Sequence, residues 1–191
     1  DLIFVEFRKD YPSVPIDKAQ VLLYEHSPSL LRMFKPELQA YAEQELTQRG
    51  VKVHTGSGVA KIGPDSITLS SGEVVKTQTL IWAAGLEANP LTASLGVELV
   101  RGGRIPVGPD LQVQGYPGVF AVGDIAAMTD GKTGEVLPGL GATALQAGKH
   151  VGTAISDLML GATPAPFKYL DKGSMAQVGR GAAIAELPTG G

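Results

Sequence analysis

Short, mostly apolar runs recur along this chain at residues 19–24 (AQVLLY), 80–83 and 119–122, and residues 51–54 (VKVH) read as a further strand. Runs of this length, bounded by glycine, proline or polar clusters, predict strands buried on both faces. Between segments 19–24 and 51–54, residues 37–49 place Leu38, Tyr41, Ala42 and Leu46 on one helical stripe, and Gly50 follows as a stop signal. Strand, helix, strand in that order predicts parallel pairing. Segments 19–24, 51–54 and 80–83 are therefore expected in one parallel sheet with helix 37–49 packed on it. Residues 59–62, 66–69 and 73–75 are shorter, separated by Gly63-Pro64 and Ser71-Gly72, and predict an antiparallel meander. Residues 104–107 predict a further strand. Residues 142–160 predict a long helix with Leu145, His150 or Val151, Ile155 and Leu158 on one side, capped by Gly161. Residues 167–185 predict two strands around Gly173. Residues 27–36 read as a loop, and residues 1–11 are compatible with the tail of a helix. Trp82 is expected in the core.

Composition narrows the function. A chain of 191 residues that is 43% hydrophobic and 18% charged can bury an ordinary core, as one domain or two small ones. Its 25 glycines and 13 prolines are scattered among apolar runs, which fits a turn-rich α/β protein. The net charge of −3 gives no electrostatic footprint for nucleic acid. With no cysteine, disulfides, zinc–thiolate sites, iron–sulfur clusters and thiol catalysis are excluded within the chain. His26, His54 and His150 are scattered and make no metal site. No stretch has the length of a transmembrane helix.

Three segments carry candidate chemistry. Glu25 follows the first apolar run, where an acidic residue in a dinucleotide-binding unit meets the adenosine ribose hydroxyls; spacing alone also allows an exposed loop glutamate. Residues 81–85 (IWAAG) run from an apolar stretch into small residues, so a backbone can approach a flat ligand closely, or simply turn. Residues 118–124 (GVFAVGD) end an apolar run at Gly123-Asp124, and open α/β sheets bind ligands at the carboxyl ends of their strands. Gly179-Arg180-Gly181 lacks the strand–loop–helix frame of a phosphate loop and is not read as one.

LIWAAGLEANPL (80–91) followed by GRIPVGPDLQVQGYPGVFAVGDIAAM (103–128) resembles the two-dinucleotide-binding flavoproteins of pyridine nucleotide–disulfide oxidoreductase fold. PGLGATALQAGKHVG (138–152) resembles the family's flavin-contacting helix. FKYLDKGSMAQVGRGAA (167–183) is similar to the run that marks the type II NADH dehydrogenases, which are single-chain, non-pumping quinone reductases. The resemblance covers essentially the whole chain.

The resemblance implies an α/β fold made of parts of two Rossmann-like dinucleotide-binding domains, three-layered, with a β meander. Residues 1–100 would be the later part of the NAD(H)-binding domain, 101–165 a second segment of the FAD-binding domain, and 166–191 the start of a C-terminal β region. It implies FAD and NADH as cofactors and quinone as electron acceptor. Asp124 matches the family's ribityl aspartate and Gly123 the glycine before it. Ala84 and Gly85 match small residues beside NADH, and Glu25 the NADH ribose carboxylate. Ala142 opens the flavin helix, and Lys172 reads as a flavin-edge contact or as a solvated turn lysine. Ala142 also stands where many members carry a glutamine near flavin and quinone, four residues before Gln146. Hydride transfer between the rings needs no obligatory protein acid or base, so no catalytic residue is named.

The family further implies glycine fingerprints and membrane-binding C-terminal helices that these residues do not contain. The chain is therefore expected to be an internal piece that alone neither holds FAD tightly nor oxidises NADH. The whole protein is expected peripherally at the cytoplasmic face of a bacterial-type cell membrane, and a homodimer is compatible with the reading. A soluble ferredoxin- or rubredoxin-type NAD(P)H reductase and a cofactor-free truncated module are the alternatives. The absence of cysteine argues against sulfide:quinone reductases, which need cysteines in regions this chain covers.

Overall fold

The computed structural model describes residues 2–188. Within it the chain forms two compact units, one reaching to Ile81 and resuming at Asp171, the other Trp82–Leu170.

The first unit opens with a π-helical turn, Leu2–Phe7, and a single α-helical turn, α1 (Arg8–Asp10). Strand β1 (Val21–Tyr24) pairs in parallel with β2 (Val51–His54), in the register Val21 opposite Val51 and Tyr24 opposite His54. The connection is α2 (Pro36–Gln48), a strand–helix–strand crossover as the pattern predicts. Pro36 fits the first helical turn, where its missing N–H is not needed. The Gly50 N–H closes the other end on the Thr47 carbonyl at 2.9 Å, with φ +82°. The meander follows as β3 (Val59–Ile62), β4 (Ser66–Leu69) and β5 (Val74–Lys76), antiparallel in sequence order. Ile67 and Leu69 turn their side chains inward from the central strand.

Residues 80–83 do not form the predicted strand. Leu80, Ile81 and Trp82 are exposed, Ile81 by 85%, so Trp82 is not a core residue. A doubly buried strand needs neighbours on its edges and cover on its faces, and among the described residues no strand pairs with this run.

In the second unit a short parallel pair, β6 (Ile105–Pro106) and β7 (Ala126–Ala127), sits at the centre of a core of Ile105, Val107, Leu111, Val113, Ala121, Met128, Leu137, Ala147 and Phe167. Residues 119–122 are likewise not a strand. Phe120 makes one bridge to Gln112, and tight turns at Gly115 and Gly118, both at positive φ, cut the run short. Ala121 is nevertheless buried. The unit ends on α3 (Gly141–Met159), close to the predicted span. Gly161, at φ +75°, caps it: its N–H meets the Leu158 carbonyl and the Ala162 N–H meets that of Asp157, a Schellman arrangement. The buried side of α3 is only partly the predicted one. Thr143, Ala147 and Ala154 face the core, with Val151 beside them, while Leu145 and Ile155 face outward. Small residues let the helix approach its unit closely, and that closeness outranks side-chain size in choosing the face.

The chain then returns to the first unit as a hairpin, β8 (Ser174–Gly179) and β9 (Ala182–Glu186). The break between the strands is at Arg180-Gly181, where Gly181 has φ +71°, and Gly173 lies before the first strand. Helix α2 packs on this hairpin through Phe34, Leu38, Ala42, Val178, Ala182 and Ile184. The outcome is a mixed α/β architecture with both parallel and antiparallel pairs.

Candidate functional site

The sequence candidates fall in both units. In the second unit, Gly123–Ile125 is a short 3₁₀ turn that delivers Gly123 and Asp124 against the start of α3. Gly123 has φ +73°, a conformation that disfavours side chains, and a Cβ there would come 3.7 Å from the Ala144 methyl. A Cβ on Gly139 would lie 3.2 Å from Asp124 Oδ1, a tight contact, so the carboxylate lies close beside that backbone.

At α3 the helix starts without a side-chain cap, and its first turn holds no acidic residue. Among the described residues, the N–H groups of Gly141, Ala142 and Thr143 meet no acceptor; Ala144 is the first to donate, to the Leu140 carbonyl at 3.0 Å. Free N–H groups and the helix dipole together favour an electron-rich atom at this end. Ala142 is exposed and leaves the approach clear. Asp124, itself exposed, offers two acceptor oxygens for hydroxyl groups close by. An acceptor for hydroxyls next to donors for a carbonyl or anion suits a ligand with a polyol arm and an electron-rich ring edge. The residues present thus fit FAD.

Gln146 is occupied elsewhere. Its Nε2 donates to the Leu170 carbonyl at 3.1 Å and its Oε1 accepts the Leu170 N–H at 2.9 Å, which clamps residues 167–170 along α3. Both polar ends are used in that clamp, so Gln146 positions a chain segment. On the buried side of α3, sequence reasoning weighed His150 but missed Thr143. Thr143 Oγ1 and His150 Nε2 are buried and unpartnered, and the His150 ring lies 5.4 Å from that of Phe167. Polar residues on a helix otherwise lined by alanine and glycine were the available signal. Asp110 was also missed. Burial pushes its carboxyl up, but the Gln112 side-chain amide and backbone N–H and the nearby His150 outweigh this and hold it below the ordinary carboxylate range. Ala84 and Gly85, also in this unit, lie in an exposed irregular segment, and Gly85 at φ +109° has open space where a Cβ would stand.

In the first unit, Glu25 ends β1. Its N–H donates to the His54 carbonyl at 2.9 Å, its carbonyl accepts from Ser57 at 2.9 Å, and Oε1 accepts the Ser27 N–H at 2.7 Å. The carboxylate is therefore oriented by its own loop through one oxygen. Beside it, Tyr24 and His54 stack with ring centroids 4.8 Å apart, and burial, then the charge of Glu73, pushes the Tyr24 phenol up. Lys172 is exposed in a turn closed by Asp171, whose Oδ1 accepts the Gly173 N–H at 2.8 Å. No group of three or more potential metal ligands occurs among the described residues.

Residues 13–148 match the family described as pyridine nucleotide-disulphide oxidoreductase. The chain belongs to that family. A relative named type II NADH:quinone oxidoreductase Ndh, from Mycobacterium tuberculosis, is 38% identical over 181 residues, which are 89% of this chain and 38% of the relative. The type II NADH:quinone oxidoreductase of Staphylococcus haemolyticus is 29% identical over 85% of this chain and 41% of its own length. The chain thus spans about two fifths of the length of the curated relatives it matches. Among solved structures, NDH2 from Plasmodium falciparum in complex with NADH superposes with a TM-score of 0.82 at 15% identity, over 99% of this chain and 54% of that one. That likeness establishes the shared fold of these family members, a mixed α/β fold like that of Rossmann-type oxidoreductases.

Proposed function

We propose that the full-length protein is a flavoenzyme that passes electrons from NADH through FAD to a quinone, and that residues 1–191 supply one side of its cofactor sites. The carrying observation is the placement of Gly123-Asp124 and the backbone of Gly139 against the open N-terminus of α3. The names of the longer relatives supply the reaction class. FAD, when bound, accepts a hydride and hands its electrons on. This chain's residues bind and orient: Asp124 accepts hydrogen bonds from the ribityl hydroxyls, and the N–H groups of Gly141, Ala142 and Thr143 receive the electron-rich edge of the ring. Glu25, held by Ser27, accepts from the NADH ribose and disfavours a 2′-phosphate by charge. Ala84 and Gly85 give the nicotinamide arm a close backbone approach, and Lys172 meets the flavin edge.

In this reading residues 1–100 serve NADH, 101–165 serve FAD and 166–191 begin the C-terminal β region. The whole protein works peripherally at the cytoplasmic face of the membrane, through residues outside this chain, and is open to homodimerisation. No described helix is long and apolar enough to cross a membrane.

The test is flavin content in the full-length protein. Asp124→Ala should lower bound FAD per chain while the circular dichroism spectrum stays unchanged; full occupancy in a folded variant would overturn the assignment. Glu25→Ala should raise the KM for NADH, since losing a charged hydrogen bond costs about 1.5–3 kcal/mol. A wild-type protein that prefers NADPH would sink the role of Glu25.

A further inference from the structure

The turn at residues 110–112 is strained and lies within the second unit. Leu111 has φ +68°, a left-handed conformation that is an outlier for a bulky side chain, yet it is only 1% exposed. Strain of this kind persists where the surrounding structure over-determines it, and it clusters at functional sites. Here the turn is fixed several times over. The Gln112 N–H donates to Asp110 Oδ1 at 3.1 Å, and the Leu111 N–H to the Gly108 carbonyl at 2.9 Å. The Gln112 side chain reaches further. Its Nε2 donates to Asp110 Oδ2 at 2.5 Å, and its Oε1 accepts the Gly118 N–H at 2.8 Å. Residues 111–113 also take up the backbone of the segment that follows. The Ala121 N–H meets the Leu111 carbonyl at 3.3 Å, Phe120 bridges Gln112, and the Val113 N–H meets the Val119 carbonyl at 2.8 Å. Segment 118–121, which forms no strand, thus takes its course from this turn. Val122 alone separates it from Gly123-Asp124.

We propose that Gln112 is a positioning residue for FAD: clasped to Asp110, it sets segment 118–121, and through that segment the place of Asp124 beside the N-terminus of α3. The inference rests on the reading of Asp124 as the acceptor for the ribityl hydroxyls. Gln112 acts through the backbone, since its Oε1 and Nε2 are taken up by Gly118 and Asp110. On the far side of Asp124 the chain is fixed independently, because Ala126 pairs in parallel with Ile105. Asp124 therefore stands between two anchors, a strand pair after it and a side-chain clasp before it. An amide suits position 112 because one side chain must donate to a carboxylate and accept from a backbone N–H at once. A binding group has to be held within about 0.5 Å of its productive place. Asp124 is exposed, and its short 3₁₀ turn has no side-chain cap of its own, so that accuracy has to come from the segments on either side.

The test is a double-mutant cycle in the full-length protein, read as the Kd for FAD when the apoprotein is titrated and flavin fluorescence is followed. Gln112→Ala should weaken FAD about tenfold, the scale of one displaced hydrogen bond, and Asp124→Ala should weaken it at least as much. The double variant should bind FAD within about twofold of Asp124→Ala alone, because Gln112 acts only through Asp124. Two factors that multiply would mean that Gln112 supports the fold at large, and would overturn the proposal. Gln112→Glu provides a second arm, which also serves if Gln112→Ala does not fold. It keeps an acceptor for Gly118 but loses the donor to Asp110, so it should loosen FAD as alanine does. Adding Asp110→Asn exchanges donor and acceptor across the pair and should return the Kd to within about twofold of wild type; no rescue overturns the proposal. The two readings fail differently. An unchanged Kd in Asp124→Ala removes the role of Asp124 and this inference with it. A weakened Asp124→Ala beside an unchanged Gln112→Ala removes this inference alone.

Discussion

Helix α2 meets water with Glu43, Gln44, Thr47 and Gln48, and its positive end is answered twice. Glu37 lies in its first turn, and the Lys35 N–H donates to Glu186 Oε2 at 3.1 Å while the Lys35 ammonium pairs with Glu186. Helix α3 meets water with Leu145, Ile155 and Met159, and nothing in its first turn answers its dipole. Both are long, both pack small residues inward, and both close on a glycine. The difference is that α2 is finished within its unit, whereas α3 has a free end and a free face.

Five measurements sharpen or break this comparison. The largest effect belongs to α2, where Ala42 is fully buried against Val178 and Ile184. Ala42→Glu places an unpaired charge in that core and should cost on the order of 3 kcal/mol or more in urea unfolding; a loss under 1 kcal/mol would mean that α2 is not docked on the hairpin. On α3 the sign reverses. Thr143→Val removes a buried hydroxyl that has no partner and should raise stability by about 1 kcal/mol. Destabilisation instead would reveal a partner for Oγ1.

Next come the helix starts. Glu37→Gln should destabilise the protein by about 0.5 kcal/mol through the lost dipole interaction. Ala142→Glu gives α3 the acid it lacks, so it should stabilise the chain by a similar amount while reducing FAD in the full-length protein. Undiminished FAD would show that this helix end does not face the flavin. The smallest effect is Asp110. Its folded carboxyl titrates below the unfolded value of about 3.9, so its contribution is present above that pH and is lost as pH falls through the folded value. Asp110→Asn should flatten the acid limb of a stability–pH curve; a curve identical to wild type would exclude the coupling to Gln112 and His150.

The elements legible in the sequence were those whose signal is local. Residues 37–49 carried their own stripe and stop, the meander its own Gly-Pro and Ser-Gly turns, and α3 its length and its cap. All appear within a residue or two of the expected bounds. Gly123 takes the positive φ that suits glycine, although the strand expected before it is absent. Segments 80–83 and 119–122 failed for the opposite reason. An apolar run becomes a strand only when another strand takes up its hydrogen bonds, and that partner is not encoded in the run.

By itself, then, the sequence determined the crossover β1–α2–β2, the meander, the long helix, the exclusion of thiol and zinc–thiolate chemistry, and the residue types at the candidate cofactor site. Those follow from periodicity, turn chemistry and composition, which act over a few residues. Only the tertiary structure decided which face of α3 is buried, that Gln146 is spent on Leu170, that Thr143 and His150 lack partners, and that Asp124 lies close beside the backbone of Gly139. Each of these depends on which distant backbone comes within a few ångströms, and close packing, unlike periodicity, is a property of pairs of segments that no single stretch of sequence contains.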